Sequence, residues 1–143
     1  MTDEANVTWL LLKTYVRAKY GLIKLSDGYN LSAIQALTVC LLEPEKAVAM
    51  NTISDMLACD ASNVTNIVDR LVENDYIDRK TSKADRRVNT ITLTDKGIKV
   101  RSEILEKLSR GYLSSIQLLS QHEKEIFKKL LVKILSRTDI TPL

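Results

Sequence analysis

Two changes of hydrophobic period divide this chain, and they constrain its fold more than any other feature. Up to Asn74 apolar residues recur at helical spacing; from Tyr76 to Leu93 they alternate with polar and β-branched residues; beyond Thr94 the helical spacing returns. The first helix is predicted over about Val7 to Leu25, with Val7, Leu11, Tyr15, Ala18, Leu22 and Leu25 on one stripe and Asp27-Gly28 closing it. Trp9, Leu10 and Leu12 lie off that stripe, so the N-terminal turns are expected to be buried on more than one side. Ser32 and Gln35 have capping-box spacing and open a second helix that Pro44 ends.

Two short helices follow. Asn51 or Thr52 can cap the first, which carries Ile53, Met56 and Leu57, and Asp60 can cap the second, which runs from Ala61 to about Asn74. Val64, Ile67, Val68, Leu71 and Val72 form its apolar side. Two short helices so closely spaced are a helix-turn-helix. The period-two segments Tyr76–Thr81 and Val88–Leu93 then predict a two-stranded hairpin with a polar, basic tip at Ser82–Arg87. Two strands alone are marginal and need helices beside them. Thr94 can cap a long helix bearing Ile98, Ile104, Leu105, Leu108, Tyr112, Ile116 and Leu119. Ser120 and Glu123 form a further capping box for a last helix with Ile126, Phe127, Leu130, Leu131, Ile134 and Leu135.

Composition narrows the class. Four glycines and two prolines are too few for a turn-rich sandwich or barrel, and aromatics at 5% leave Leu, Ile, Val and Ala to build the core. The expected fold is mainly α (α+β). Its apolar N- and C-terminal helices exceed what a small central domain can cover, and packing against a second copy is their simplest use. An intrachain helical core is the alternative. Two cysteines, an acidic N-terminus and no signal-like or membrane-spanning stretch suggest a reducing, cytoplasmic setting.

A net charge of +3 is too small to announce a nucleic-acid partner, but its distribution is uneven. Residues 79–101 hold eight basic side chains against two acidic ones, a net +6; the remainder holds 13 against 16, a net −3. A local excess of that kind marks a polyanion site, with a solvated charged loop as the plainer alternative. The second short helix supports the first reading. Ser62, Asn63, Thr65, Asn66, Asp69 and Arg70 lie opposite its apolar side. Small hydroxyls and amides there can read base edges in a major groove, and Arg70 can reach a phosphate or guanine. At the hairpin tip, arginine suits a narrow minor groove. Asp85, two residues before Arg87, can hold that guanidinium in a bidentate pair, or can be an ordinary surface salt bridge.

The run Val64-Thr65-Asn66-Ile67-Val68-Asp69-Arg70-Leu71, then Asp85-Arg86-Arg87, then Leu93-Thr94-Asp95-Lys96-Gly97 resembles the MarR family of transcriptional regulators, over nearly the whole chain. The resemblance implies a winged helix-turn-helix lobe at 31–102, with 1–30 and 103–143 forming a helical dimerisation region. It further implies a homodimer that binds double-stranded DNA at a pseudo-palindromic operator, usually as a repressor. Recognition helices would enter major grooves about 10 bp apart. By the same resemblance Arg87 enters the minor groove, Asp85 orients it, and Lys83 and Arg86 contact backbone, while Ser62, Asn63, Thr65, Asn66 and Arg70 serve the major groove. One departure is visible: Asn74-Asp75 stands where the family usually has glycine, and Asn is expected to take the left-handed turn.

Other chemistry has little to work with. No Ser/His/Asp set, glycine-rich phosphate loop or zinc-spaced cysteine pair occurs, so no enzyme, cofactor or metal is predicted. His122 is the single histidine and sits inside a capping box, and Glu103 and Glu106 belong to a solvated face. Relatives that sense peroxide carry a cysteine near the start of the first helix, and none precedes Cys40 here. Cys40 is expected to pack inertly; Cys59, before the recognition helix, leaves a thiol-based sensor open as an alternative. A helical protein-interaction module is another, although it would call for apolar residues at the tip rather than Arg86-Arg87. Relatives also bind small anionic or aromatic effectors between lobe and dimerisation helices, where Tyr15, Tyr20, Tyr29 and Tyr112 are candidates alongside a plain core role.

Overall fold

The computed structural model describes residues 1–136, so the last seven positions of the 103–143 region lie outside the described residues. Six helices and three short strands follow in the order α1 (Asp3–Ser26), α2 (Ala33–Leu41), β1 (Val48–Ala49), α3 (Met50–Leu57), α4 (Ala61–Glu73), β2 (Ile77–Thr81), β3 (Asn89–Leu93), α5 (Asp95–Arg110) and α6 (Gln121–Leu135). The mainly α architecture with a winged helix-turn-helix is the predicted one.

Local chemistry sets most helix ends. Thr2 accepts from the Ala5 amide, and Asp3 and Glu4 suit the positive end of the dipole, so α1 begins four residues before Val7. Ser32 and Gln35 form the expected reciprocal box, at 2.8 and 3.3 Å. Ser120 and Glu123 repeat it at 2.7 and 3.3 Å. Asp60 and Thr94 cap α4 and α5 as predicted.

Four expectations change. The sheet has three strands in the order β1-β3-β2, because Val48 and Ala49 pair antiparallel with Ile91 and Thr90. The chain leaves β1 directly into α3, whose N-cap is therefore Ala49 with no side-chain bond, rather than Asn51 or Thr52. The long C-terminal helix stops at Arg110: Gly111 leaves helical geometry (φ −103°, ψ −96°), and Ser114–Leu118 forms a separate 3-10 turn. After α4 it is Asp75 (φ +60°), not Asn74 (φ −93°), that takes the left-handed conformation.

A single apolar core joins α2, α3, α4, the sheet, α5 and the end of α1, with Val39, Ile53, Val68, Leu71, Ile91 and Ile104 almost wholly excluded from solvent. Its periphery is uncovered. α1 buries only Gly21, Leu22 and Ser26, and α6 buries nothing. Trp9, Leu10 and Leu12 are each about half exposed, against the expectation of burial on several sides. Among the described residues, the terminal helices therefore form no intrachain core of their own. No described helix is long and apolar enough to cross a membrane.

Candidate nucleic-acid interface

α4 separates its two roles cleanly. Val64, Ile67, Val68 and Leu71 face the core, and Ser62, Asn63, Thr65, Asn66 and Arg70 are all exposed on the other side. Their freedom differs. Thr65 Oγ1 donates back to the Ala61 carbonyl at 2.9 Å, and Arg70 Nη1 lies 3.3 Å from Glu73 Oε2. Ser62 Oγ donates to Asp60 Oδ1 at 2.7 Å, while Asn63 gives its backbone N–H to Oδ1 at 2.9 Å and its Nδ2 to Oδ2 at 2.8 Å. Those bonds hold the Asp60 carboxyl below the usual carboxylate range, the Ser62 hydroxyl first among them. Asn66 has no side-chain hydrogen bond among the described residues.

The wing grows from the β2–β3 register, which runs from Ile77 opposite Leu93 to Thr81 opposite Asn89. Ser82 N–H donates to the Val88 carbonyl at 2.8 Å, and Val88 N–H donates to the Asp85 carbonyl at 3.0 Å. Ser82 Oγ accepts from the Ala84 amide at 3.2 Å. Asp85 does not grip the Arg87 guanidinium as the bidentate reading expected. Its Oδ1 accepts from the Arg87 backbone N–H at 2.9 Å, a local turn closure that the two-residue spacing favours over a side-chain pair. Lys83, Arg86 and Arg87 are exposed, and none has an ion pair among the described residues.

Contacts that local sequence reading missed tie these parts together. Arg79 at the base of the wing pairs with Asp69 of α4. Lys96 Nζ donates to the Asn74 carbonyl at 2.7 Å and lies 4.4 Å from the Tyr76 ring centre. Arg87 borders a recess of about 310 Å³ with Met50 and Asn51, at the start of α3. Asn51 had signalled only a helix cap, and nothing local announces its approach to the wing.

The tyrosines divide. Tyr15 borders a cleft of about 390 Å³ between α1 and the α2–α3 side of the lobe, with Leu22, Ile34, Leu37 and Leu57. Tyr20 and Tyr112 meet edge to face with ring centres 5.7 Å apart, beside a different hollow. Tyr29 belongs to neither: its hydroxyl donates to Glu103 at 3.0 Å and accepts from Lys107 at 2.8 Å. The four do not converge on one cavity.

Burial pushes the Cys40 thiol up to about 11, with Arg101 pulling weakly the other way. At pH 7 its thiolate fraction is on the order of 1 in 10,000, and the thiolate is the reactive form. Iodoacetamide is therefore expected to leave Cys40 unmodified in the native protein at pH 7, with labelling rising only toward pH 11; mass spectrometry of the alkylated chain measures it, and rapid neutral labelling would contradict the burial argument. Cys59 is half-buried with its thiol 3.4 Å from the Leu57 carbonyl. His122 is exposed, and the described residues contain no cluster of three metal-binding side chains.

Known proteins share this arrangement. The MarR family model matches residues 31–88. The HTH-type transcriptional regulator MgrA of Staphylococcus aureus is 31% identical over 146 residues, covering 99% of this chain and 98% of its own. A MepR mutant from multidrug resistant S. aureus superposes with a TM-score of 0.72 at 22% identity, covering 95% of this chain and 96% of its own. A MarR mutant from E. coli complexed with operator DNA does so at 0.62 and 18%, covering 91% and 94%. With a near-full-length relative, a matching family model and the recognition helix, wing and capped long helix in order, the chain belongs to the MarR family of transcriptional regulators.

Proposed function

We propose that the protein is a homodimeric, cytoplasmic regulator that binds double-stranded DNA sequence-specifically at a pseudo-palindromic operator, as a repressor relieved by a small-molecule or stress signal. The observation that carries this reading is the pairing, on one lobe, of an exposed polar helix face with a wing tip whose Lys83, Arg86 and Arg87 have no ion pair among the described residues. α4 lies in the major groove, where Asn66 and Asn63 meet base edges and Ser62, Thr65 and Arg70 meet edges or phosphates. Lys83 and Arg86 neutralise backbone charge, and Arg87 enters the minor groove while Asp85 holds the turn that presents it. Exposed Val7, Leu10 and Tyr15 on α1 and Phe127, Leu130 and Ile134 on α6 support the dimer, since so much apolar side chain left in water calls for a covering partner. The cleft beside Tyr15 is the place for an effector. A tip whose one apolar side chain is the small Ala84 speaks against a protein-binding wing.

Salt titration of binding to duplex DNA from the protein's own upstream region tests it. Two lobes that together neutralise about five phosphates give a log–log slope near −4.5, at about −0.9 per phosphate. An absence of duplex binding even at low salt would remove DNA as the partner.

A further inference from the structure

The N-cap of α4 does more than its helix requires. Ser, Thr or Asn would cap equally well, and none would place a carboxylate on a surface that meets phosphates. Asp60 makes three bonds: one is the backbone cap, and two reach the side chains of Ser62 and Asn63.

The direction of those two bonds follows from chemistry. An ionised carboxylate only accepts, so Ser62 must give its hydroxyl proton and Asn63 must turn its NH2 group inward. What remains toward solvent is two Ser62 lone pairs, the Asn63 Oδ1 and one Asn63 N–H. Ser62 and Asn63 are both exposed, so this is the face a ligand meets. In the major groove guanine offers only the acceptors N7 and O6, whereas adenine N6 and cytosine N4 offer amino donors. An acceptor-rich turn backed by a carboxylate suits the second pair and opposes the first.

We propose that Asp60 is a specificity-determining positioning residue: by accepting from the Ser62 hydroxyl and one Asn63 N–H, it makes the first turn of α4 selective for an amino base, adenine or cytosine, on the strand it faces, and against guanine or thymine there. This rests on α4 being the DNA-reading helix. Asp60→Asn keeps an oxygen to cap the Asn63 amide but adds an NH2 group, which releases the Ser62 proton and permits the Asn63 amide to reverse.

Selection from a random-core duplex library, with sequencing of the bound fraction, tests the proposal on the full chain and on Asp60→Asn and Asn63→Ala. The base position whose preference disappears in Asn63→Ala is the one this turn reads. There the unsubstituted protein is expected to favour the two base pairs that put an amino base, adenine or cytosine, on one and the same strand over the two that put guanine or thymine on it, by about 10-fold, within the ordinary cost of one mismatch. Asp60→Asn is expected to cut that ratio below about 3-fold, with the melting temperature and preferences elsewhere in the site retained. Uniformly tighter binding with the ratio intact would mean that Asp60 contributes only a cap and a charge, and overturns the proposal. So does a preference in the unsubstituted protein that follows purine against pyrimidine, or A·T against G·C, rather than which strand carries the amino base. If the unsubstituted protein recovers no preferred sequence and shows no salt-dependent duplex binding, the assignment of α4 itself fails, and the proposal falls with it.

Discussion

Arg87→Ala is expected to weaken operator binding by about 30-fold or more, since a dimer loses one groove contact per lobe at about 1 kcal/mol or more each. The side chain is exposed and carries no ion pair among the described residues, so its removal costs the fold almost nothing. The turn beneath it depends on the Arg87 amide donating to Asp85 Oδ1 and the Ser82 amide donating to the Val88 carbonyl, and alanine retains both. The wing is remote in sequence from the apolar faces of α1 and α6, so sedimentation should report an unchanged oligomeric state. Arg87→Lys separates two modes of contact. A phosphate contact survives the exchange of one cation for another, whereas a guanidinium in a narrow groove does not. Equal affinity of the alanine variant, measured by fluorescence anisotropy at fixed salt, would remove Arg87 from the interface.

Gly97→Ala is expected to lower stability by about 3 kcal/mol or more, at the upper end of overpacking costs, and the melting temperature by about 10 °C. A Cβ at this buried position would sit 2.0 Å from the Tyr76 carbonyl oxygen and 3.1 Å from Leu93 Cδ2. The obstruction is backbone, and the backbone is held from several directions. The Tyr76 carbonyl accepts from the Thr94 amide at 3.1 Å, and the Asp75 carbonyl accepts from Thr94 Oγ1 at 2.7 Å. Lys96 holds the Asn74 carbonyl, and the Tyr76 hydroxyl donates to the Tyr29 carbonyl at 2.7 Å. Relief of the clash must therefore move the α4–β2 turn away from α5, which loosens the recognition helix at its C-terminal end. Gly28→Ala is the matched control: nothing lies within 4 Å of its added carbon and its φ is not positive. A thermal melt in which both variants behave alike would refute the close-approach argument.

Most of the helical scaffold was legible because its signals act over three or four residues. Ser32 with Gln35, Asp60 with Asn63, Thr94 with Gly97 and Ser120 with Glu123 are bonds within one helical turn, so their spacing is their geometry. The apolar stripe of α4 follows from its period in the same way. The candidate site was legible to the same depth: the polar face and the basic tip are sequence facts, and their exposure follows from the period.

Contacts that span the chain carry no local signal. β1 is two residues long and exists because Val48 meets Ile91, 43 positions away, a pairing that also displaced the start of α3 from Asn51. The direction of the Asp85 side chain was misjudged because two short routes compete, and the nearer backbone N–H wins over a flexible guanidinium. The left-handed turn passed from Asn74 to Asp75 because the Asn74 amide still bonds into the end of α4, which leaves the next residue to reverse the chain.

By itself, then, the amino-acid order determined most of the helices, the hairpin, the caps at Ser32, Asp60, Thr94 and Ser120 and the division of charge, since each depends on periodicity or on neighbours a few residues apart. Only the tertiary structure decided what those pieces meet: Arg79 against Asp69, Tyr76 against Tyr29, Gly97 against a carbonyl, and the apolar faces of α1 and α6 left uncovered by one chain. The reason is the range of the forces involved. Helix and turn formation are settled by bonds within a few residues, whereas packing assembles surfaces from distant segments, and its result depends on all of them at once.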